Sequence, residues 1–242
     1  MAEHPHGRVY LPYDNILDKP HTLISGCTGS GKSTLLHGLI TTLLYRPYNT
    51  RMILIDPKRV ELSRYKKLPH VLSYAWEIEE IIFLLKSVNI VMDKRYERME
   101  KQGITQSTEC AVYVIIDEFA VLMQSKYRYE FIENMQRLLC LARASNIHII
   151  CATQNPSRKN LDQLPQNFTE RVGLRCQNAI ESRQIINQKG CESLPQYGKA
   201  LYLSEGRISE LKIVKIDDEE NQRLIDYWLN RKAEISGRRT PK

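Results

Sequence analysis

The 242-residue chain is 42% hydrophobic and 26% charged, a balance that fits a folded domain and excludes a disordered or low-complexity chain. No run of about 18 apolar residues and no signal-peptide core occur, so no membrane span and no secretory leader are expected, and the predicted location is cytoplasmic. Lysine and arginine total 35 against 28 acids, a net charge of +7 that points to an anionic partner such as nucleic acid.

In chain order, residues 1–15 read as a loose N-terminal arm, and "HTLIS" from His21 as a first strand. "STLLHGLITTLLY" has the apolar spacing of a helix, and "RMILID" is a second strand ending at Asp56. A long helix is expected over residues 76–103, its second half heavily charged. "AVYVIID" is a buried strand leading into short and then longer helical stretches through Ser145. "IHIICATQ" and "RVGLRC" read as further strands, with helix over "NAIESRQIIN". "KALYLSEGRISELKIVKI" predicts a hairpin turning at Glu205-Gly206. The last helix, from Asp217, has acids in its first turn and Arg231-Lys232 in its last, both matched to the helix dipole. Strands alternating with helices predict an α/β fold with a mainly parallel central sheet flanked by helices, closed by a C-terminal hairpin and helix. One domain is expected over residues 16–235, with a basic tail at 236–242.

Six cysteines (Cys27, Cys110, Cys140, Cys151, Cys176 and Cys191) show no CxxC pair and no metal-ligand spacing. They predict small, mostly buried side chains in a reducing compartment.

"GCTGSGKST" fills the pattern G-x-x-x-x-G-K-[ST] between a predicted strand and a predicted helix. Gly26, Cys27, Thr28, Gly29, Ser30 and Gly31 form a loop whose backbone N–H groups can surround phosphates. Lys32 reaches the β/γ oxygens, Ser33 is placed to ligate Mg²⁺, and Thr34 follows in the first helical turn. Cys27 reads as a filler in that loop. ATP and Mg²⁺ are therefore the expected ligands.

"VYVIIDEF" supplies a second acid pair. Asp117 ends an apolar strand where it can hold Mg²⁺ through water, and Glu118 can polarise an attacking water, which favours hydrolysis over a mere binding switch. Gln154, ending "IHIICATQ", is a candidate γ-phosphate sensor or an ordinary strand terminus.

Five segments, "HTLISGCTGSGKST", "ILIDPKRVELSRYKKLPHVL", "VIIDEFAVLM", "LARASNIHIICATQNPS" and "ESRQIINQKGCESLPQYGKALYL", resemble the FtsK/SpoIIIE family of DNA-pumping ATPases in order and spacing. The resemblance runs from about residue 20 to 205. It implies a RecA-like P-loop NTPase core, assembly into a ring (usually a hexamer) and ATP-driven tracking along double-stranded DNA. It implies that Arg143, in "ARASN", is offered to a neighbouring subunit's ATP as an arginine finger; a plain helix-surface arginine is the alternative. Arg183, in "ESRQ", is a second candidate at that boundary. The chain departs from the larger members, which carry membrane spans, a linker and a DNA-reading module. It also has Asn155 in "ATQNP" where arginine is usual, and "NQKGCES" where "DQGGAES" is typical. It resembles a minimal motor such as mobile elements carry, or a motor domain of something longer, with a membrane or transfer-machinery partner outside it.

Loop cations are the candidate track contacts. Arg158 and Lys159 follow the sensor strand, and Lys126 and Arg128 follow the second acid motif; each pair reads either as a DNA contact or as a solvated loop. Three functions stay open: a double-stranded DNA translocase, a protein-moving ATPase like those of type VII secretion, and an ATP-dependent DNA-binding accessory.

Overall fold

The computed structural model describes residues 13–46, 50–154, 156, 164 and 167–237. The expected basic tail from residue 238 on, Asn155, Arg158 and Lys159 lie outside the described residues. The described chain opens with a short helix, α1 (Asp14–Leu17), then β1 (His21–Ser25), α2 (Lys32–Tyr45), β2 (Thr50–Ile55) and β3 (Val71–Ala75). Next come α3 (Ile78–Gln102), β4 (Ala111–Ile116), α4 (Ala120–Met123), α5 (Arg128–Leu141) and β5 (Ile147–Thr153). The last elements are β6 (Glu170–Gly173), α6 (Ala179–Ile186), β7 (Lys199–Ser204), β8 (Arg207–Lys212) and α7 (Asp218–Gly237).

The described strands form one eight-stranded sheet in the order β3-β2-β4-β5-β1-β6-β7-β8. Neighbours from β3 to β6 run parallel, and only the β6–β7 and β7–β8 pairs are antiparallel. Alternating side chains split the core between the two faces, as a parallel sheet covered on both sides requires. Ile53, Ile55, Val114, Ile116 and Ile149 pack under α3 and α5. Met52, Leu54, Ile115, Ile150 and Ala152 pack under α2 and α7. Leu23 and Ile24, adjacent in β1, go to opposite faces.

The expected hairpin, the long helix and the mainly parallel sheet are all present. α3 ends where Gly103 takes φ +65°, so that Ile104 N–H reaches Met99 O at 3.1 Å and Gly103 N–H reaches Glu100 O at 3.1 Å. That pairing satisfies the last carbonyls of the helix. Among the described residues no helix is long and apolar enough to cross a membrane.

Several features differ from the reading of the sequence. β3 was not foreseen, because its edge position leaves Val71–Tyr74 partly open and so without a clean alternation. Tyr13, inside the span expected as a loose arm, is fully buried. Its ring lies against Gly38, where an added Cβ would come within 2.4 Å of Tyr13 Cε2. Its hydroxyl accepts from Val214 N–H at 2.9 Å, so the docked tyrosine joins the entry to α1 to both α2 and the segment after β8. α7 runs to Gly237, beyond the expected start of the tail at 236. Cys140, in an apolar run, faces out from α5, whereas Cys151, Cys176 and Cys191 are buried.

Two buried histidines give the fold an acid limit. His21 Nδ1 accepts from Ile149 N–H at 3.2 Å, and His70 stands edge-on to Trp228 at 4.5 Å between ring centroids. Burial lowers the His21 pKa to about 3 and the His70 pKa to about 4. Each folded value lies below that of the unfolded chain, so the unfolded state takes up protons first. Stability from these groups is therefore full above pH 6.5 and declines as pH falls toward 4, by roughly 1–3 kcal/mol per histidine. Denaturant unfolding at pH 7 and pH 4.5 checks this: His70→Leu is expected to show a smaller loss than wild type, and an equal loss contradicts it.

Candidate nucleotide site

Parallel strands present their carboxyl ends at one edge of a sheet, where backbone polar groups are left to the loops. Here β5 lies between β1 and β4, with Ser25 in register with Thr153 and Ile116 with Cys151. The loops after β1, β4 and β5 consequently meet.

The loop after β1 is closed by backbone bonds from Gly26 N–H to Thr153 O (3.3 Å) and Cys27 N–H to Arg175 O (2.8 Å). Gly29 and Gly31 adopt φ +76° and +97°, a region that favours glycine. Gly31 is the residue before α2, whose first turn holds no acid. The positive end of that helix therefore faces the loop unopposed. The Ser30 hydroxyl is buried without a partner among the described residues. Thr34 lies half-buried in the first turn of α2.

Lys32 Nζ forms a buried ion pair with Asp117 Oδ1. Burial pushes the Asp117 carboxyl above its ordinary pKa, against the opposing pull of Lys32. Glu118 has φ +57°, which costs a non-glycine residue about 1 kcal/mol or more unless contacts enforce it. Those contacts are Thr153 Oγ1 donating at 2.8 Å, Gln154 N–H at 3.1 Å and Lys58 Nζ at 3.0 Å. Gln154 Oε1 accepts in turn from Thr28 Oγ1 at 3.1 Å, joining the end of β5 to the loop after β1.

The segment after β2 supplies residues whose roles the sequence did not disclose. Asp56 Oδ2 accepts from Leu62 N–H at 3.0 Å and closes the turn; Arg59, at φ +61°, lies 5.1 Å from the Trp76 ring centroid. Between them Lys58 reaches Glu118. Glu61 accepts from Ser33 Oγ at 2.6 Å and lies 3.3 Å from His37 Nε2. Those two bonds, His37 first, lower the Glu61 pKa to about 2. Lys58 and Glu61 belong to "ILIDPKRVELSRYKKLPHVL", one of the segments that carry the resemblance, but nothing local in it shows which distant side chains they meet.

The hydroxyl oxygen of Ser33 and the carboxylate oxygens of Asp117 are hard donors that suit Mg²⁺. Among the described residues no group of three or more His, Cys, Asp or Glu can hold a metal unaided. Beside the loop after β1 lies a cleft of about 390 Å³, lined by Cys27, Thr28, Arg175, Gln177 and Gln196 among others.

The other candidates lie elsewhere. Arg143 is exposed in the turn before β5, close enough to Lys19 and His21 to act on their charge. It therefore stands at the amino edge of the sheet, about 20 Å of strand away from Gln154. Arg183 is exposed on α6. Lys126 is exposed and lies 3.5 Å from Glu79, while Arg128 is half-buried at the start of α5.

Gly26 has no room for a side chain: a Cβ there would lie 2.5 Å from Leu174 Cβ and 2.6 Å from Ser30 Oγ. Gly26→Ala is expected to force the loop off its course and weaken binding of a fluorescent ATP analogue by roughly tenfold or more. Unchanged affinity contradicts that.

The sequence profile of the FtsK/SpoIIIE family matches residues 8–111. The chain is 32% identical to a DNA translocase FtsK of Oceanobacillus iheyensis over 233 residues, 86% of this chain and 30% of that protein. It is 31% identical to the DNA translocase FtsK of Brucella melitensis over 260 residues, 88% of this chain and 32% of that protein. It thus spans about three tenths of the length of these curated relatives. Among solved structures, the pCW3 conjugation coupling protein TcpA with ATPgS superposes with TM-score 0.75 at 22% identity, covering 87% of this chain and 66% of that one. The cytoplasmic domain of the Thermomonospora curvata type VII secretion ATPase EccC gives TM-score 0.73 at 22% identity, covering 87% and 28%. These structural likenesses show a shared P-loop ATPase fold, and the sequence matches show that the chain belongs to the FtsK/SpoIIIE family.

Proposed function

We propose that residues 16–235 form an ATP-hydrolysing motor domain that moves double-stranded DNA in the cytoplasm as part of a ring, six-membered as in the family it resembles. The observation that carries the hydrolytic half is Glu118: a carboxylate in left-handed backbone, fixed beside Asp117 by Thr153, Gln154 and Lys58.

Lys32 exchanges Asp117 for β/γ-phosphate oxygens, and the N–H groups around Gly29 and Gly31 take the phosphates. Ser33 and Asp117 would hold Mg²⁺, which neutralises charge on the phosphates. Glu118 accepts the proton of the attacking water once Lys58 yields its carboxylate, and Gln154 senses the γ-phosphate through its bond to Thr28. Arg143 is turned away from its own chain's site, which suits a residue that completes a neighbour's.

The fold does not separate a DNA motor from a protein motor, since a coupling protein and a secretion ATPase superpose almost equally well. The net charge of +7 and the names of the curated relatives favour DNA. Lys126, which lies beside Glu79, and Arg128, at the start of α5, are the described candidates for phosphate contact; Arg158 and Lys159 are proposed for the same role.

ATP turnover by the purified chain, with and without linear duplex DNA, tests this reading. We expect severalfold stimulation by DNA, lost in Glu118→Gln although ATP still binds, and DNA affinity that falls steeply as salt rises. Turnover indifferent to DNA, with salt-independent affinity, contradicts the DNA reading.

A further inference from the structure

Glu61 is a carboxylate that the hydrolytic scheme above does not use, yet it is bound to a residue at the centre of that scheme. Its Oε1 accepts from Ser33 Oγ at 2.6 Å, and its Oε2 lies 3.3 Å from His37 Nε2. His37 is one turn along α2 from Ser33, so both project toward the same partner. His37 Nδ1 lies 2.9 Å from the Tyr65 hydroxyl, and Asn221 Nδ2 donates to that hydroxyl at 2.7 Å.

These contacts have a consistent direction. With the Asn221 amide donating to the Tyr65 oxygen, the assignment that gives every contact in the chain a proton passes the Tyr65 proton to His37 Nδ1. Nδ1 is then the acceptor of the ring and Nε2–H the donor, aimed at Glu61 Oε2. The Ser33 hydroxyl has a single proton, and Glu61 Oε1 receives it. The serine lone pairs are thereby turned away from Glu61 and left open to a cation. A charged acceptor makes that bond short and strong and increases the electron density on the serine oxygen. Both carboxylate oxygens of Glu61 are engaged, so its effect passes through Ser33.

We propose that Glu61 is the positioning residue for the Mg²⁺ of the bound nucleotide: it fixes the Ser33 hydroxyl as a metal ligand, and His37, braced by Tyr65 and Asn221, fixes Glu61. The inference rests on the nucleotide reading given above. It assigns a physical role to the glutamate of "IDPKRVEL", and it connects the metal position to α7, which carries Asn221.

Mn²⁺ binding, followed by electron paramagnetic resonance at saturating ADP, tests the proposal without recourse to turnover. Glu61→Gln keeps the shape and removes the charge, and its Mn²⁺ affinity is expected to fall roughly 10–100-fold. Its affinity for a fluorescent ADP in EDTA is expected to stay within about twofold of wild type. Because Glu61 acts through Ser33, adding Glu61→Gln to Ser33→Ala is expected to weaken Mn²⁺ no further than Ser33→Ala alone. Should Glu61→Gln fold poorly, His37→Gln is expected to weaken Mn²⁺ in the same direction by a smaller factor. Unchanged Mn²⁺ affinity in a folded variant that binds ADP, or additive losses in the double variant, overturns the role of Glu61 alone. Failure of the wild-type chain to bind ADP overturns the nucleotide reading and this inference with it.

Discussion

Four carboxylates, Asp56, Glu61, Asp117 and Glu118, meet at the carboxyl edge of a sheet covered on both faces, and compensating their charge governs the loops there. Uncompensated burial of such groups costs several kcal/mol each. Asp117 takes Lys32, and Glu118 takes Lys58 with Gln154 N–H and Thr153. Glu61 takes Ser33 and His37, whereas Asp56 has only Leu62 N–H on Oδ2, its Oδ1 being buried without a partner among the described residues. The positive-φ turns at Arg59 and Glu118 lie within this arrangement, where strain can be offset by the charged contacts it permits. Two lysines already stand there on carboxylates, Lys32 on Asp117 and Lys58 on Glu118; on the proposed reading Lys32 exchanges its carboxylate for phosphate oxygens.

Much of the fold was legible because it rests on local patterns. Short β-branched apolar runs such as "AVYVII" fit strands buried on both faces, and "GCTGSGKS" carries its own glycines for the conformations it needs. The spacing of the hairpin follows from Gly206 and its flanking alternation. β3 and the docking of Tyr13 were not legible, since an edge strand lacks alternation and a buried tyrosine in a polar stretch shows no partner. Within the site, the loop after β1, Asp117, Glu118 and Gln154 were each visible as contiguous motifs. Lys58 and Glu61 were visible only as members of a signature, because their partners lie 60 and 28 residues away. Lys126 reads in the sequence as a DNA contact or a solvated loop cation; its proximity to Glu79 of α3 is not visible there, because it depends on how α3 packs.

The two edges of the sheet carry opposite halves of the proposed chemistry. The carboxyl edge holds Lys32, Ser33, Asp117, Glu118 and Gln154, while Arg143 is exposed at the amino edge beside Lys19 and His21. No rotation of a side chain spans the length of β5. On the proposed reading a single chain is therefore an incomplete catalyst, and a second copy supplies the missing charge where charge develops in the transition state.

Mixing two inactive variants tests that claim most directly. Glu118→Gln retains Arg143, and Arg143→Ala retains Glu118, so a mixed ring contains boundaries at which both intact residues meet. The account predicts that each variant alone is nearly inactive and that ATP turnover reappears when they are combined. A mixture as inactive as its components, with assembly confirmed by light scattering, would contradict it.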